Sequence, residues 1–218
     1  MTSRGALRFL VRDSQVLTRI EPLHPVRSTV VPVGKPWIYE LKLDGFRGVL
    51  NIEDRRPWFT SKNANRMPRF QPLADALARQ VRVHDAIFDG EIIVMGEGGP
   101  DFNALFMRRG EPAYAAFDLL WLDGRDLRAL PLWRRKKMLA KLVDHTPIGY
   151  VDHVDDPGLF AVVAKRDMEG IVAKRRGDPY APGTQWVKVK HAGYSQLEGR
   201  RELFHGRPRR PIVSRGSR

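Results

Sequence analysis

The chain has 218 residues, a formal net charge of +13 and no cysteine. This length supports one main hydrophobic core with at most a small appendage. The absence of cysteine excludes disulfides, thiolate metal sites and a cysteine nucleophile, and it favours an intracellular protein. We expect no membrane association, because no apolar run approaches the roughly 20 residues that cross a bilayer and no secretory signal is recognisable.

The surplus of positive charge is the strongest compositional signal. The sequence has 38 lysines and arginines against 25 aspartates and glutamates. Such a surface attracts a polyanion, most simply nucleic acid, whose condensed counterions are released on binding. A basic surface that is merely solvated is the alternative that composition leaves open.

In chain order, the sequence predicts three segments. Residues 1–21 form an N-terminal extension, whose spaced arginines and apolar residues indicate a short helix. Residues 22–191 form the folded domain. Residues 192–218 form a basic, disordered tail, which is either an unused terminus or an arm for nucleic acid. Within the domain we predict strands at 37–42, 47–53, 86–95, 113–121, 148–153, 170–174 and 185–190, and helices near 71–80, 102–109, 131–144 and 157–167.

The sharpest motif is Lys-Leu-Asp-Gly-Phe-Arg at residues 42–47. Period-two alternation places Glu40 and Lys42 on one face of the preceding strand. The Asp-Gly pair at 44–45 turns the chain, and Arg47 opens the next strand. A lysine in this position can attack a phosphate once it has lost its proton. The alternative is an ordinary hairpin with a surface lysine.

The pattern Lys-x-Asp-Gly-x-Arg resembles the first motif of the covalent nucleotidyltransferases. The longer string 37–47 most resembles bacterial ATP-dependent DNA ligases, including the ligase domains of end-joining enzymes. The resemblance implies an α+β fold, namely an ATP-grasp-like nucleotidyltransferase core of mainly antiparallel sheets flanked by helices. It also implies that Lys42 attacks the α-phosphate of ATP and holds AMP as a phosphoramidate. Glu40 would recognise adenine, and Arg47 would help to position the nucleotide.

Three further strings resemble nucleotide-contacting motifs of the same family. Residues 59–63 resemble the second motif, but Lys62 stands where ligases usually have arginine, so a point charge replaces a bidentate fork. The Asp-Gly-Glu strand places Glu91 towards the nucleotide, and Phe117 would stack on the base. Without the family context, a Ser-Lys pair is more often a polar turn, Glu91 is the solvent-facing acid of a half-buried strand, and pattern alone favours Phe117 as a core residue.

The last two motifs carry the implied metal and phosphate ligands. Glu169 begins a Glu-Gly-Ile-Val-x-Lys string, and with Glu91 it is a candidate ligand for Mg²⁺ or Mn²⁺. Lys188 and Lys190 share one strand face, which suits a triphosphate and the charge of the transition state. An exposed edge strand protected by lysines is the alternative. All of these motifs occur in family order.

The resemblance also implies a substrate and a gap. Nicked or broken double-stranded DNA is the expected partner, in the bacterial cytoplasm at the nucleoid. Family ligases continue after the last motif into an OB-fold domain, whereas 28 residues follow Lys190, too few for a five-stranded barrel. We therefore expect the tail or a partner protein to supply that function. A catalytically weak nucleotide- or nucleic-acid-binding module and an RNA ligase or capping-type enzyme remain alternatives. The basic run 134–137 is predicted to be a solvated helix face or a phosphate contact.

Overall fold

The computed structural model describes residues 20–196. The predicted N-terminal helix and the tail beyond residue 196 lie outside the described residues. Within them, the chain forms twelve strands, four α-helices and one short 3-10 helix, Pro68–Phe70. The strands are β1 (Val26–Ser28), β2 (Trp37–Leu41), β3 (Phe46–Glu53), β4 (Arg56–Ser61), β5 (Ala86–Gly96), β6 (Gly99–Pro100), β7 (Pro112–Leu122), β8 (Arg125–Asp126), β9 (Ile148–Tyr150), β10 (His153–Val154), β11 (Gly170–Arg175) and β12 (Val187–Lys190). The helices are α1 (Gln71–Gln80), α2 (Phe102–Phe106), α3 (Leu132–Val143) and α4 (Leu159–Lys165).

The strands form two sheets of mainly antiparallel pairs. The first has the order β1-β12-β11-β2-β10, and the second has the main path β4-β3-β5-β7-β8, with β6 paired to β5 and β9 paired to β7. The β1–β12 and β7–β9 pairs are parallel. This arrangement confirms the predicted α+β class.

The largest core lies between one face of the second sheet and helices α1 and α3. Leu132, Leu139 and Val143 recur along one stripe of α3, and all three are buried. Leu139 and Val143 belong to the same core cluster as Phe88 and Leu119, whose side chains are fully inaccessible. The helices thus cover one face of this sheet and leave the other for the cavity described below.

Buried side chains lie just outside both predicted domain boundaries. Ile20, assigned from sequence to the N-terminal extension, packs with Tyr180 and Trp186. At the other end, Tyr194 is buried although residues 192–218 were expected to form the tail. Apolar and aromatic side chains at both ends therefore extend the packed region beyond the predicted limits.

The predicted helices and most predicted strands are present, with two kinds of exception. The strand expected at 148–153 is two strands, of which β9 joins the second sheet and β10 the first. Strands β1 and β4 were not predicted, since prolines surround the first and polar residues interrupt the apolar pattern of the second. In both cases tertiary pairing outweighs local pattern.

The Asp-Gly turn after Lys42 carries the chain from one sheet to the other. Strand β2 pairs with β11 and β10, whereas β3 pairs with β4 and β5, so the simple hairpin alternative is wrong. A Cβ atom on Gly45 would lie 2.2 Å from the Ile92 carbonyl oxygen, and only glycine allows this close approach. The turn therefore places Lys42 where the two sheets meet.

Candidate nucleotide-binding and active site

A cavity of about 380 Å³ lies at the junction of the two sheets. This volume falls in the range of small-molecule sites, and its lining mixes aromatic and aliphatic side chains with a few charged ones. Of the nine residues singled out from sequence, seven line it: Glu40, Lys42, Arg47, Lys62, Glu91, Phe117 and Lys188. Glu169 and Lys190 do not line this cavity but contact the residues at its edge.

Lys42 directly follows β2 and is held by its main chain and by its side chain. Its amide donates to the Gly170 carbonyl at 2.9 Å, and its Nζ donates to Glu169 Oε2 at 2.7 Å. Lys190 Nζ lies 2.8 Å from Glu169 Oε1, so one buried carboxylate serves two lysines. The Lys42 side chain is still 22% exposed, which leaves the amine accessible to a ligand.

Glu91 is the carboxylate whose proton affinity is most altered at this site. It stands opposite Arg47 in the β3–β5 pair. Burial raises its pKa from 4.5 to about 7, although Lys42 and Arg47 act in the opposite direction. Because burial makes the ionised form of Glu91 unfavourable, a bound cation would stabilise that form strongly. With Glu169 nearby, the donor chemistry fits Mg²⁺ or Mn²⁺, which prefer carboxylate oxygens.

Arg47 is fixed by a buried carboxylate behind the cavity. Its Nε donates to Asp89 Oδ1 and its Nη2 donates to Asp89 Oδ2, both at 2.6 Å. The Tyr180 hydroxyl donates to the same carboxylate at 2.7 Å. Asp89 offsets the burial of the guanidinium and raises the pKa of Arg47. The guanidinium carbon lies 4.6 Å from the centre of the Phe117 ring. A permanent positive charge therefore lines the cavity beside the predicted stacking residue.

Phe117 is half-buried and lies edge-on to Trp186, with ring centres 5.9 Å apart. The ammonium of Lys174 lies 4.3 Å from the Phe117 ring centre and 4.0 Å from that of Trp186. The two aromatic rings thus border the cavity, and the positive groups of Arg47 and Lys174 lie over the Phe117 ring.

Glu40 is more enclosed than the sequence suggested. Its carboxylate is 2% exposed, and its two oxygens lie 2.6 Å from Lys136 Nζ and 2.6 Å from Lys174 Nζ. Burial alone would raise the pKa of Glu40, but the two lysines hold it below its ordinary value. Lys136 also donates to the Val151 carbonyl at 2.8 Å. Any contact between Glu40 and a base would therefore be shared with two ammonium groups.

The basic run on α3 was wrongly predicted for two of its four residues. Arg135 and Lys136 are buried, and Arg135 binds both oxygens of Asp118, at 2.8 and 2.9 Å. Positions 135 and 136 lie three and four residues after Leu132, on the same helix face, and this spacing was a usable signal. Lys174 lines the cavity and Lys136 binds Glu40, and neither was named as a nucleotide-binding residue from the sequence.

The lysines of β12 lie on an internal strand. β12 pairs with both β1 and β11, so the edge-strand alternative is wrong. Lys188 lines the cavity, and partial burial, together with Lys42 and Lys190, lowers its pKa. Lys62 lines the same cavity from the end of β4. Positive charge is therefore concentrated where a triphosphate would lie beside Lys42.

This fold and cavity define a nucleotide-binding α+β domain with a lysine poised at its sheet junction, and similarity to known proteins identifies the family. Residues 20–190 match the model of the ATP dependent DNA ligase domain. The chain therefore belongs to the ATP-dependent DNA ligase family and contains its nucleotidyltransferase domain. This result favours the DNA ligase prediction over the two alternatives.

Three relatives illustrate the match. The chain is 32% identical over 184 residues to the multifunctional non-homologous end joining protein LigD of Mycolicibacterium smegmatis, covering 79% of this chain and 24% of the relative. It is 32% identical over 176 residues to the SPbeta prophage-derived DNA ligase-like protein LigB of Bacillus subtilis, covering 74% and 63%. A mycobacterial DNA ligase D complexed with ATP and MES has a TM-score of 0.66 and 30% identity, over 78% of this chain and 60% of that one.

The chain therefore spans less than two thirds of these relatives. In residues 20–196, none of the helices has the length and apolar character that a membrane crossing requires.

Proposed function

We propose that this chain transfers AMP from ATP to Lys42 and then to the 5′-phosphate of nicked or broken double-stranded DNA. One observation carries the proposal: Lys42 lines the 380 Å³ cavity, and its Nζ lies 2.7 Å from a buried carboxylate. The amine is accessible, and the groups around it suit a polyphosphate. The family membership and the similarity to a ligase complexed with ATP support ATP as the donor.

In the first step, the deprotonated Nζ of Lys42 attacks the α-phosphorus. A phosphorus–nitrogen bond forms, the bond to the bridging oxygen breaks, and pyrophosphate leaves with that electron pair. Glu169 Oε2 accepts the hydrogen bond of Nζ and is placed to take its proton. Lys188 and Lys190 offset negative charge on the phosphates as it builds up.

Glu91 and Glu169 would hold a divalent cation, which would supply further stabilisation of phosphate charge. At the other end of the cavity, Phe117 and Trp186 provide an aromatic wall for the base. Arg47 and Lys62 orient the ribose and phosphates. Glu40, fixed by its two lysines, limits which base edge fits.

In the second and third steps, AMP passes from Lys42 to the DNA 5′-phosphate, and the 3′-hydroxyl then displaces AMP to join the strand. The charge of +13 supports a nucleic-acid substrate. We further propose that the protein acts at the bacterial nucleoid. There another polypeptide, or another part of the protein, supplies the OB-type function that completes the grip on DNA.

The test compares the wild type with Lys42→Ala and with Lys141→Ala, which removes an exposed lysine of α3. Each protein is incubated with α-³²P-labelled ATP or GTP and Mg²⁺, denatured and resolved on a gel. We expect label from ATP on the wild type and on Lys141→Ala only. Equal labelling of Lys42→Ala would disprove the nucleophile, and preferential labelling from GTP would favour a capping-type enzyme.

DNA sealing is tested separately with a 5′-labelled nicked duplex and a matched duplex in which RNA replaces the strands at the nick. Formation of adenylylated 5′ ends or sealed product on DNA supports the second and third steps. Labelled protein without either product would restrict the function of this chain to the first step. Preference for the RNA duplex would contradict the substrate.

A further inference from the structure

A short segment after β12 folds back against the turn that carries Lys42. We call residues 191–196 the strap. The resemblance to family ligases places an OB-fold domain after this point, yet the strap is packed onto the domain. Tyr194 at its centre is 4% exposed. The amide of His191 at its start donates to the Glu169 carbonyl at 2.9 Å, directly beside the carboxylate that binds Lys42.

The far end of the strap is anchored by side-chain hydrogen bonds. Ser195 binds Asp167 through its amide at 3.0 Å and through its hydroxyl at 2.5 Å. Gln196 Oε1 accepts from the Phe102 amide at 3.0 Å, and Gln196 Nε2 donates to the Pro100 carbonyl at 3.2 Å. These contacts tie the strap to α2, to the β5–β6 hairpin and to the loop before β11, so its path is fixed at both ends.

The centre of the strap reaches the catalytic turn through one hydrogen bond. The Tyr194 hydroxyl donates to Asp44 Oδ2 at 2.9 Å, and Asp44 is 2% exposed. Asp44 lies two residues after Lys42, at the start of the crossing between the sheets. Burial raises the pKa of Tyr194, and the nearby carboxylates of Glu169 and Asp167 raise it further. The phenol therefore stays protonated and remains a donor.

The strap lies beside Lys42 but does not line the nucleotide cavity. A second cavity, of about 210 Å³, is lined by Lys42, Asp44, Glu169, Tyr194 and Gln196 among others. Lys42 lines both cavities, whereas Tyr194 and Gln196 line only the second. The strap can thus support the nucleophile without occupying the space of the nucleotide.

We infer that Tyr194 is a positioning residue for Lys42, which acts through Asp44 to fix the turn and to hold the amine in line with Glu169. The inference rests on the proposed function, because it concerns the rate of the Lys42 reaction. Misplacement of a reacting group by about 1 Å can cost a factor of about 100 in rate, so a single buried hydroxyl can matter.

The test compares Tyr194→Phe with Tyr114→Phe. Tyr114 is a matched control, because it is buried and its hydroxyl donates to the carbonyls of Gly48 and Phe88 in the core, at 3.0 and 3.2 Å. At saturating ATP, Tyr194→Phe should form the lysyl-AMP adduct about 10-fold more slowly, with KM for ATP changed less than about twofold. Tyr114→Phe should lower the melting temperature but retain the wild-type rate.

A second measurement does not depend on activity. Amide hydrogen exchange in residues 42–46 of the nucleotide-free protein should be about 10-fold faster in Tyr194→Phe and unchanged in Tyr114→Phe. Both effects are required. A wild-type rate in Tyr194→Phe, equal slowing in the two variants, or unchanged exchange at 42–46 would each overturn the inference. A wild type that takes no label from ATP would instead refute the proposed function, and the exchange result would then decide alone whether Tyr194 positions the turn.

Discussion

The two ends of the nucleotide cavity hold similar charged residues in different surroundings. At the buried end, Glu40 is ion-paired with Lys136 and Lys174, and all three side chains are at most 2% exposed. At the open end, Glu169 is equally buried, but the side chains of Lys42 and Lys190 are 22% and 24% exposed. The difference lies in whether the lysines can be rehydrated or reach a ligand.

The buried ion pairs and the partly exposed ones are expected to respond differently when a partner is removed. Removing one member of a buried ion pair leaves an uncompensated charge and destabilises the protein strongly. A half-exposed lysine that loses its partner is solvated instead, so the effect on stability is small. We therefore expect changes at the buried end to reduce stability, and changes at the open end to reduce the reaction rate.

The largest expected effect is on the rate, at the open end. Glu169→Gln keeps the shape of the side chain but removes the charge shared by Lys42 and Lys190. Single-turnover formation of the lysyl-AMP adduct should slow by about 100-fold or more, while the free energy of unfolding changes by about 1 kcal/mol or less. Asp152→Asn, at an exposed carboxylate, is the control. A large loss of stability in Glu169→Gln would remove the contrast between the two ends.

At the buried end, Lys136→Met should lower the free energy of unfolding by about 3 kcal/mol, because Glu40 loses one of its two cations inside the protein. Lys137→Met is the matched control on the exposed side of the same helix and should change it by less than about 0.5 kcal/mol. Urea denaturation measures both. Equal effects of the two substitutions would mean that the ion pair between Lys136 and Glu40 does not stabilise the folded protein.

The raised pKa of Glu91 predicts an unusual dependence of stability on pH. Because its pKa is about 7 in the folded protein and 4.5 is its ordinary value, the folded state binds more protons than the unfolded state between these values. This group therefore makes the protein less stable as pH rises from about 4.5 to 7. Glu91→Gln removes that contribution. As pH rises over this range, the free energy of unfolding should therefore fall by about 1–3 kcal/mol less in the variant than in the wild type.

Denaturation at pH 5 and pH 7.5, without divalent metal, checks this difference. Parallel curves for the wild type and Glu91→Gln would refute it. Added Mg²⁺ at pH 7.5 should stabilise the wild type and not the variant, since the ionised carboxylate is the proposed ligand.

The smallest effect concerns Lys62, which stands where family ligases usually have arginine. Lys62→Arg replaces a point charge at the cavity wall with a planar fork that can bind two oxygens. KM for ATP should fall by about two- to fivefold, and the rate at saturating ATP should stay the same. The single-turnover rate of adduct formation at varied ATP measures it, and an unchanged or higher KM would show that Lys62 does not contact the nucleotide.

Local pattern was sufficient to predict the domain's helices, most of its strands and its motifs, but it did not predict the pairing between distant segments. The alternation at 186–190 and the Lys-x-Asp-Gly-x-Arg string are visible in a few residues, and the site residues that they named lie together. Lys136 was missed because its partner Glu40 is 96 residues away and a basic helical run usually faces solvent. The split of 148–153 between two sheets likewise depends on strands that local sequence does not specify.

The most direct test of the central claim is to locate AMP on the protein. After incubation with ATP and Mg²⁺, intact-protein and peptide mass spectrometry should show one added AMP, attached at Lys42. Excess pyrophosphate should remove it, because the reverse reaction regenerates ATP. An adduct on another residue, or none on a folded protein, would contradict the assignment of Lys42 as the nucleophile.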